Sequence, residues 1–197
     1  MKKSDFVNID THPVMKLPED SPVPDFSKGF DPSLLKDSTW GVGGYAERRP
    51  EMYTAPQYQN RRYIHMGIDY WAPAGDPVFA ALDGIVAYVA NHHQTGNYGP
   101  TIVLRHKVDN KSFYALHGHL SKESLNHISV GQLIKRGEQF ATLGNPSENG
   151  EWHPHLHYQM GIEDPGEADM PGVVSEKDLE KAMELYPDPR SLLGNIY

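Results

Sequence analysis

The chain of 197 residues is 38% hydrophobic and 22% charged, and it contains no apolar stretch near the roughly 18 residues that predict a membrane span. Its 18 Lys and Arg residues against 26 Asp and Glu residues give a net charge of −8 at pH 7, which argues against nucleic acid as a partner because phosphate backbones are bound by basic surfaces. Cysteine is absent, so disulfides, thiolate zinc sites and cysteine nucleophiles are excluded, and a metal must be held by His, Asp or Glu.

Residues 1–60 are predicted to form an irregular, proline-rich arm that packs on the body of the protein. They hold seven of the 16 prolines and show neither helical nor strand periodicity. The aromatic residues of this segment are too many for a plain linker, so we expect the part from about Trp40 onward to wall a groove on the body. These aromatic residues are Trp40, Tyr45, Tyr53 and Tyr58. The one basic cluster is explained by solvated surface at least as well as by a binding surface, and it consists of Arg48, Arg49, Arg61 and Arg62.

The start of the sequence does not resemble an export signal. Met1, Lys2 and Lys3 run directly into polar residues, without the apolar stretch of about 7–15 residues that follows the lysines of a secretory signal. As written, the sequence predicts a cytoplasmic protein. A signal removed ahead of these residues would instead place the protein in the cell envelope or outside the cell.

Residues 61–163 are predicted to form a mostly β domain. Short apolar segments alternate with glycine at spacings near ten residues, which is typical of an antiparallel sandwich or open barrel. Residues 77–82 and 85–89 surround Asp83-Gly84, a strong signal for a hairpin turn.

A second pair of predicted strands follows in the same domain. Residues 101–104 and 112–116 are rich in β-branched and aromatic residues and are joined through Asp109-Asn110, so we expect them to pair as another hairpin.

Residues 164–197 are predicted to be an acidic extension with one helix near residues 176–186. Ser175 precedes this helix as its cap, with Asp178 three residues later, and Pro187 follows it. The apolar face of the helix is assigned to Leu179, Met183 and Tyr186.

The 11 histidines are the residues most indicative of chemistry. His65 and Asp69 stand four apart, which places them on one face of an extended chain, and their imidazole and carboxylate suit zinc as well as a simple hydrogen bond. His155 and His157 share one face of a later strand, and buried imidazoles need partners. Three ligands from His65, Asp69 and His157 would leave a fourth position for water, as in catalytic zinc sites.

Another histidine pair, His117 and His119, surrounds Gly118 at the end of a predicted strand. The glycine allows another group to approach closely, although taken alone the pair is better explained by an ordinary surface loop. The chain has no His-Glu-x-x-His sequence and hence no helical glutamate base. If the protein is a hydrolase, histidines must transfer its protons.

Five motifs in order resemble those of the lysostaphin-type zinc metallopeptidases over about residues 60–160. They are His65-x-x-x-Asp69, residues 72–78, the turn at residues 83–86, His119-Leu120-Ser121 and His155-Leu156-His157, and residues 96–99 and 130–137 match too. The resemblance implies a mostly antiparallel β-sheet of the duplicated hybrid motif, with a groove across it. It also implies hydrolysis of peptide bonds in the cross-bridges or stems of peptidoglycan.

The resemblance assigns roles to individual residues. It implies that His65, Asp69 and His157 bind zinc, and that His119 and His155 are the catalytic pair beside a metal-bound water. Zinc would lower the pKa of that water, and the two histidines would move its proton.

The resemblance also indicates where a substrate would bind. The residues along the implied groove are Asn97, Tyr98, His117 and Trp152. His117 stands where the family usually has tyrosine, which leaves its specificity open.

Three classes of function are compatible with these residues. The first is a zinc-dependent endopeptidase acting on peptidoglycan or another small peptide. The second is a non-catalytic relative that binds a peptide or an envelope partner in the same groove, but all five implied zinc and catalytic residues are present. The third is a phosphocarrier of a related barrel, in which Asp69 would have no role. We therefore predict the endopeptidase.

Overall fold

The computed structural model describes Phe6, residues 9–59 and residues 61–197, and this part of the chain contains eleven β-strands. They are β1 (Gly41–Gly43), β2 (Ile64–His65), β3 (Ile68–Trp71), β4 (Pro77–Phe79), β5 (Gly84–His92), β6 (Gly99–Val108), β7 (Lys111–Gly118), β8 (Leu133–Ile134), β9 (Gln139–Thr142), β10 (His155–Gly161) and β11 (Val173–Val174). The helices are α1 (Lys122–Asn126), α2 (Leu179–Leu185) and α3 (Arg190–Leu193). The prediction of a mostly β fold is confirmed.

Seven of these strands form one antiparallel sheet in the order β1-β3-β10-β7-β6-β5-β8. The predicted pairing of β6 with β7 is confirmed, and Asp109 takes a left-handed conformation with φ of 53° in the turn between them. Two small sheets accompany the large one, β2 with β11 and β4 with β9. Since the large sheet has two free ends, it is an open sheet and not a closed barrel.

The hairpin predicted around Asp83-Gly84 is wrong. β4 pairs with β9, whereas β5 pairs with β6 and β8. The Asp83 carboxylate accepts a hydrogen bond of 2.8 Å from the backbone N–H of Arg136 and lies 3.3 Å from the Lys135 ammonium. The turn residue therefore holds the chain that follows β8, and the long strand β6 takes the partner edge of β5.

Strand alternation separates the core from the face that carries the histidines. In β10 the side chains of Leu156, Tyr158 and Met160 point into the main hydrophobic core, while His155 and His157 point to the opposite face. All five side chains are buried. The strand is thus covered on both faces, and its histidine-rich face departs from the continuous apolar run that is usual for such a strand.

The part of the predicted arm that is described pairs with the body through its backbone. β1 pairs with β3, the Phe79 N–H donates to the Val14 carbonyl, and the His12 N–H donates to the Ala81 carbonyl, both at 3.0 Å. Residues 1–5, 7, 8 and 60 lie outside the described residues. The division of the chain into arm, domain and extension stays a prediction.

The helix expected near residues 176–186 is present. It starts as a 3-10 turn at Glu176–Asp178 and continues as α2. The Ser175 hydroxyl donates to the Asp178 carboxylate at 2.5 Å and makes no capping hydrogen bond to the helix backbone. Met183 was assigned to the apolar face but is exposed, and Ala182 is the buried residue of α2. Among the helices in the described ranges, none has both the length and the apolar composition needed to cross a membrane.

Candidate metal centre

Two imidazoles and one carboxylate meet where β2, β3 and β10 come together. β10 runs antiparallel to β3, with His157 directly opposite Asp69, and His65 ends β2. The Nε2 atom of His65 lies 3.0 Å from Nδ1 of His157, and both nitrogens lie 3.1 Å from Oδ1 of Asp69. The three side chains are buried. These donor atoms therefore form a nearly equilateral triangle of side chains that are at most 5% exposed.

His65 and Asp69 do not lie on one face of a single extended strand, as we expected from their spacing. The two residues lie on separate strands of different sheets, and Met66-Gly67 makes the turn between them. A Cβ atom at Gly67 would lie 2.6 Å from Cε1 of His157 and 2.8 Å from the carbonyl oxygen of Tyr158. The turn can pass behind His157 only because residue 67 has no side chain.

The donor set fits zinc. The Gly44 carbonyl accepts a hydrogen bond from Nδ1 of His65 at 2.9 Å, and the Gln159 side-chain oxygen accepts one from Nε2 of His157 at 3.1 Å. Each ring thereby keeps the lone pair of its other nitrogen for a metal. A tetrahedral zinc with bonds of about 2.0–2.1 Å would space its ligand atoms about 3.3 Å apart, close to the separations that the three donors already have.

The second oxygen of Asp69 is bound to a buried arginine. Oδ2 accepts a hydrogen bond of 2.6 Å from Nη1 of Arg49. The interpretation of Arg49 as solvated surface is therefore wrong: its side chain is 0% exposed and lies over the rings of Phe26 and Trp71. A charged side chain becomes buried when carboxylates neutralise it, and Glu47 supplies a second one at 2.7 Å.

The charge state of the triangle suits metal binding. Burial opposes ionisation of Asp69, but attraction to His65, where that ring is protonated, and to the permanent charge of Arg49 holds the pKa of its carboxyl well below the usual range. Burial, with the Arg49 charge next in effect, lowers the pKa of His65 to about 4. At neutral pH His65 is therefore uncharged, so Arg49 is the cation that keeps Asp69 ionised.

Two further histidines lie beside the triangle. The ring centroids of His119 and His155 are 4.3 Å apart, and Nε2 of His155 is 3.8 Å from Oδ1 of Asp69. Each ring donates from Nδ1 to a backbone carbonyl, His155 to His153 at 2.7 Å and His119 to Asn149 at 2.8 Å. The Nε2 lone pair of each is consequently available as a base.

Burial sets the protonation of this histidine pair. It lowers the pKa of His155 to about 4 and that of His119 well below its usual value. His119 also takes a left-handed backbone conformation, with φ of 62°, which is uncommon for a residue other than glycine. Such strain is typical of positions where the surrounding structure fixes a functional side chain.

A cavity of about 540 Å³ opens beside these histidines. Three of the residues expected to contact a substrate line it, namely Asn97, Tyr98 and Trp152. Its other walls are built by the arm, by Arg62 and by the segment after β10. The arm contributes Met52, Tyr53 and Tyr58, and the later segment contributes Glu167, Asp169 and Met170. The Tyr58 hydroxyl donates to the Gly96 carbonyl at 2.5 Å. This bond joins the arm to the loop that carries Asn97 and Tyr98.

His117, the fourth residue expected to contact a substrate, lies elsewhere. It stands opposite Tyr158 on the core face of the β7–β10 pair and packs against the rings of Tyr158 and Phe140. Its side chain is fully buried and does not line the cavity. The assignment of His117 to substrate binding is corrected on this ground. Its side chain lies on the same face as that of its cross-strand partner Tyr158. His119 follows the end of β7 in a left-handed conformation, which interrupts the alternation and turns its side chain to the other face.

Sequence reasoning missed the residues that orient the site. Arg49 and Gln159 bond to the side chains of Asp69 and His157, and the Asn149 carbonyl fixes His119. Gln159 continues the alternation of β10 and could have been found from that pattern. The other two reach the site through tertiary folding and have no local signal.

Comparisons with known proteins place these features in context. Residues 63–168 match the family model described as "Peptidase family M23". An "Uncharacterized metalloprotease" of Haemophilus influenzae is 33% identical over 129 residues, which are 62% of this chain and 25% of that protein. "Peptidoglycan DD-endopeptidase ShyA" of Vibrio cholerae is 33% identical over 125 residues, 63% of this chain and 25% of that protein. The chain thus spans about a quarter of the length of these relatives.

The chain is also similar to solved structures of other proteins. The chain is similar to the catalytic domain of lysostaphin from Staphylococcus simulans, with 21% identity and a TM-score of 0.49 over 72% of this chain and 92% of that one. It is also similar to a zinc-containing peptidase from Vibrio cholerae, with 28% identity and a TM-score of 0.47 over 64% of this chain and 34% of that one.

Proposed function

Since the chain belongs to Peptidase family M23, whose model covers more than half of it, we propose that it is a zinc-dependent endopeptidase of peptidoglycan or related cell-wall peptides. One observation carries the proposal: the His65, Asp69 and His157 donors lie within 4.8 Å of one another, and Asp69 and His157 line a cavity that is also lined by two neutral histidines, His119 and His155. A structural metal site would need no such bases and no adjoining cavity.

We assign the zinc to His65, Asp69 and His157. When bound there, zinc would lower the pKa of a water ligand and polarise the carbonyl of a scissile peptide bond. The three protein ligands leave a position for that water, in keeping with the arrangement of catalytic zinc sites.

His119 and His155 supply the proton transfer. Nδ1 of each ring is fixed to a backbone carbonyl, so Nε2 is the atom that accepts the proton of the attacking water. The protonated Nε2 then donates to the departing amine nitrogen or to the oxygen of the tetrahedral intermediate. Trp71 stacks on His155 with ring centroids 5.1 Å apart, which keeps the ring in one orientation.

The cavity and the relatives support the proposed substrate class. The walls of the cavity are aromatic where Tyr53, Tyr98 and Trp152 line it, and such walls pack against an extended peptide. The name of the Vibrio cholerae relative, a peptidoglycan DD-endopeptidase, supports a peptidoglycan cross-link as the bond that is cut.

The test is digestion of purified sacculi and of soluble cross-linked muropeptides, with products identified by mass spectrometry. Using both substrates covers action on an intact wall and on released fragments. We expect cleavage of cross-links that stops when a chelator removes zinc and returns when zinc is restored. Zinc-loaded protein that binds either substrate but releases no product would support the non-catalytic alternative.

A further inference from the structure

Arg49 lies outside the segment that matches the family model, yet its side chain reaches the metal centre. It precedes residues 63–168 and belongs to the stretch predicted as an arm. The Arg49 N–H donates to the Tyr63 carbonyl at 2.7 Å, and the neighbouring Arg48 forms a β-bridge with Ile64. The arm therefore runs alongside β2, the strand that ends in His65.

The guanidinium of Arg49 connects two carboxylates. Nη1 donates to Oδ2 of Asp69 at 2.6 Å and to the Tyr53 hydroxyl at 3.2 Å, while Nε donates to Glu47 at 2.7 Å. A Cβ atom at Gly43 would lie 2.4 Å from Nη2 of Arg49. Gly43 thus leaves room for the guanidinium. The hydrogen bonds to Asp69, Tyr53 and Glu47 hold the guanidinium in one position.

The two oxygens of Asp69 are consequently not equivalent. Oδ1 faces His65 and His157, whereas Oδ2 is occupied by Arg49. Resting on the proposed function, we propose that Arg49 is a positioning residue that presents Asp69 to the metal through Oδ1 alone. A freely rotating carboxylate could offer both oxygens and fill the position that the attacking water needs.

Arginine suits this task better than lysine. Its planar fork bonds to Asp69 and Glu47 in fixed directions, whereas a lysine ammonium is a point charge on a flexible stem. Burying the guanidinium also costs free energy that a merely structural position avoids with apolar side chains. Partners that orient metal ligands contribute about 10–100-fold in metal affinity or activity.

The experiment measures the zinc affinity of the full chain by competition with a chromophoric chelator, for the wild type and for Arg49→Met and Arg49→Lys. We expect Arg49→Met to weaken zinc binding about 10–100-fold and Arg49→Lys to lie between it and the wild type. The visible absorption of Co²⁺ bound in place of zinc reports the number of ligands, and we expect it to change in Arg49→Met. Arg48→Met is the matched control, because Arg48 pairs with Glu176 on the surface, and it should bind zinc as the wild type does.

Two outcomes would overturn the proposal. One is folded Arg49→Met, judged by circular dichroism, with a zinc affinity within about threefold of the wild type and an unchanged Co²⁺ spectrum. If that variant does not fold, a Co²⁺ spectrum and zinc affinity of Arg49→Lys equal to those of the wild type overturn the proposal instead. A wild-type chain that binds no zinc would refute the proposed function as well, so the two failures are distinguishable.

Discussion

On the cavity face of the β7–β10 pair, His119, His155 and His157 each donate from one ring nitrogen to a protein oxygen, which leaves the lone pair on the other ring nitrogen. On the core face of the same strands, neither nitrogen of His117 has a hydrogen-bond partner among the described residues. All four side chains are buried. Burial therefore does not separate a functional histidine from a core one, whereas a fixed tautomer with a directed lone pair does.

The strongest test of this difference is His157→Ala. It removes one of the three protein ligands that we propose for zinc, so we expect zinc content to fall from about one per chain to near zero and activity to reach background. Elemental analysis and the peptidase rate measure the two effects. His127→Ala is the control, since that side chain is 74% exposed. Retention of zinc by the His157→Ala protein would contradict the assignment of this residue.

His155→Ala and His119→Ala separate metal binding from proton transfer. Both variants keep all three ligands, so zinc content should stay near that of the wild type. Activity should fall by about 10²–10⁴, the contribution of a positioned acid or base. Because the two residues act as a unit, the double variant should be little worse than either single one. Full activity of His119→Ala, or loss of zinc from His155→Ala, would show that these roles are wrongly assigned.

The smallest effect on activity is expected from His117→Phe, a substitution on the core face. Burial lowers the pKa of His117 in the folded protein to about 3, from an ordinary value of 6.5. Between these values the unfolded chain binds a proton that the folded protein does not, so the free energy of unfolding decreases as the pH falls. This one group lowers the free energy of unfolding of the wild type by about 2 kcal/mol at pH 5 relative to pH 7.5.

Urea unfolding of the metal-free proteins at pH 7.5 and pH 5 measures this term. The His117→Phe variant should lose less stability on acidification than the wild type, and its zinc-loaded form should keep its activity at pH 7.5. Equal losses for the two proteins would mean that His117 is protonated in the folded state. A large loss of activity would return His117 to the substrate site.

Local patterns predicted much of this molecule from its sequence. The β6–β7 hairpin could be predicted because its two strands are consecutive in the chain. The period-two alternation of β10 likewise puts His155 and His157 on one face. The hairpin around Asp83-Gly84 failed for a physical reason, since an Asp-Gly turn does not determine which strand the next segment pairs with. β5 pairs with the long strand β6, which follows it in the chain, and not with β4, which precedes it.

The placement of charged and polar side chains was harder to predict. Arg49 looked like surface because its partner Asp69 is 20 residues away and becomes a neighbour only in the folded chain. His117 and His119 are two residues apart, so strand alternation alone would place them on one face. They face opposite sides because β7 ends at Gly118 and His119 takes a left-handed conformation, which no local pattern in the sequence indicates.

The glycine-rich strand β1 has a consequence for association between chains. It covers the outer edge of β3, pairing Gly43 with Asp69 and Gly41 with Trp71. Without β1, the strand that carries Asp69 would present free N–H and C=O groups, a template onto which another chain can add a strand. A fragment cut to residues 63–168 would therefore expose an unpaired, aggregation-prone sheet edge beside the candidate metal centre. In the whole chain the two outermost strands are only 3 and 2 residues long, which leaves little edge for intermolecular pairing.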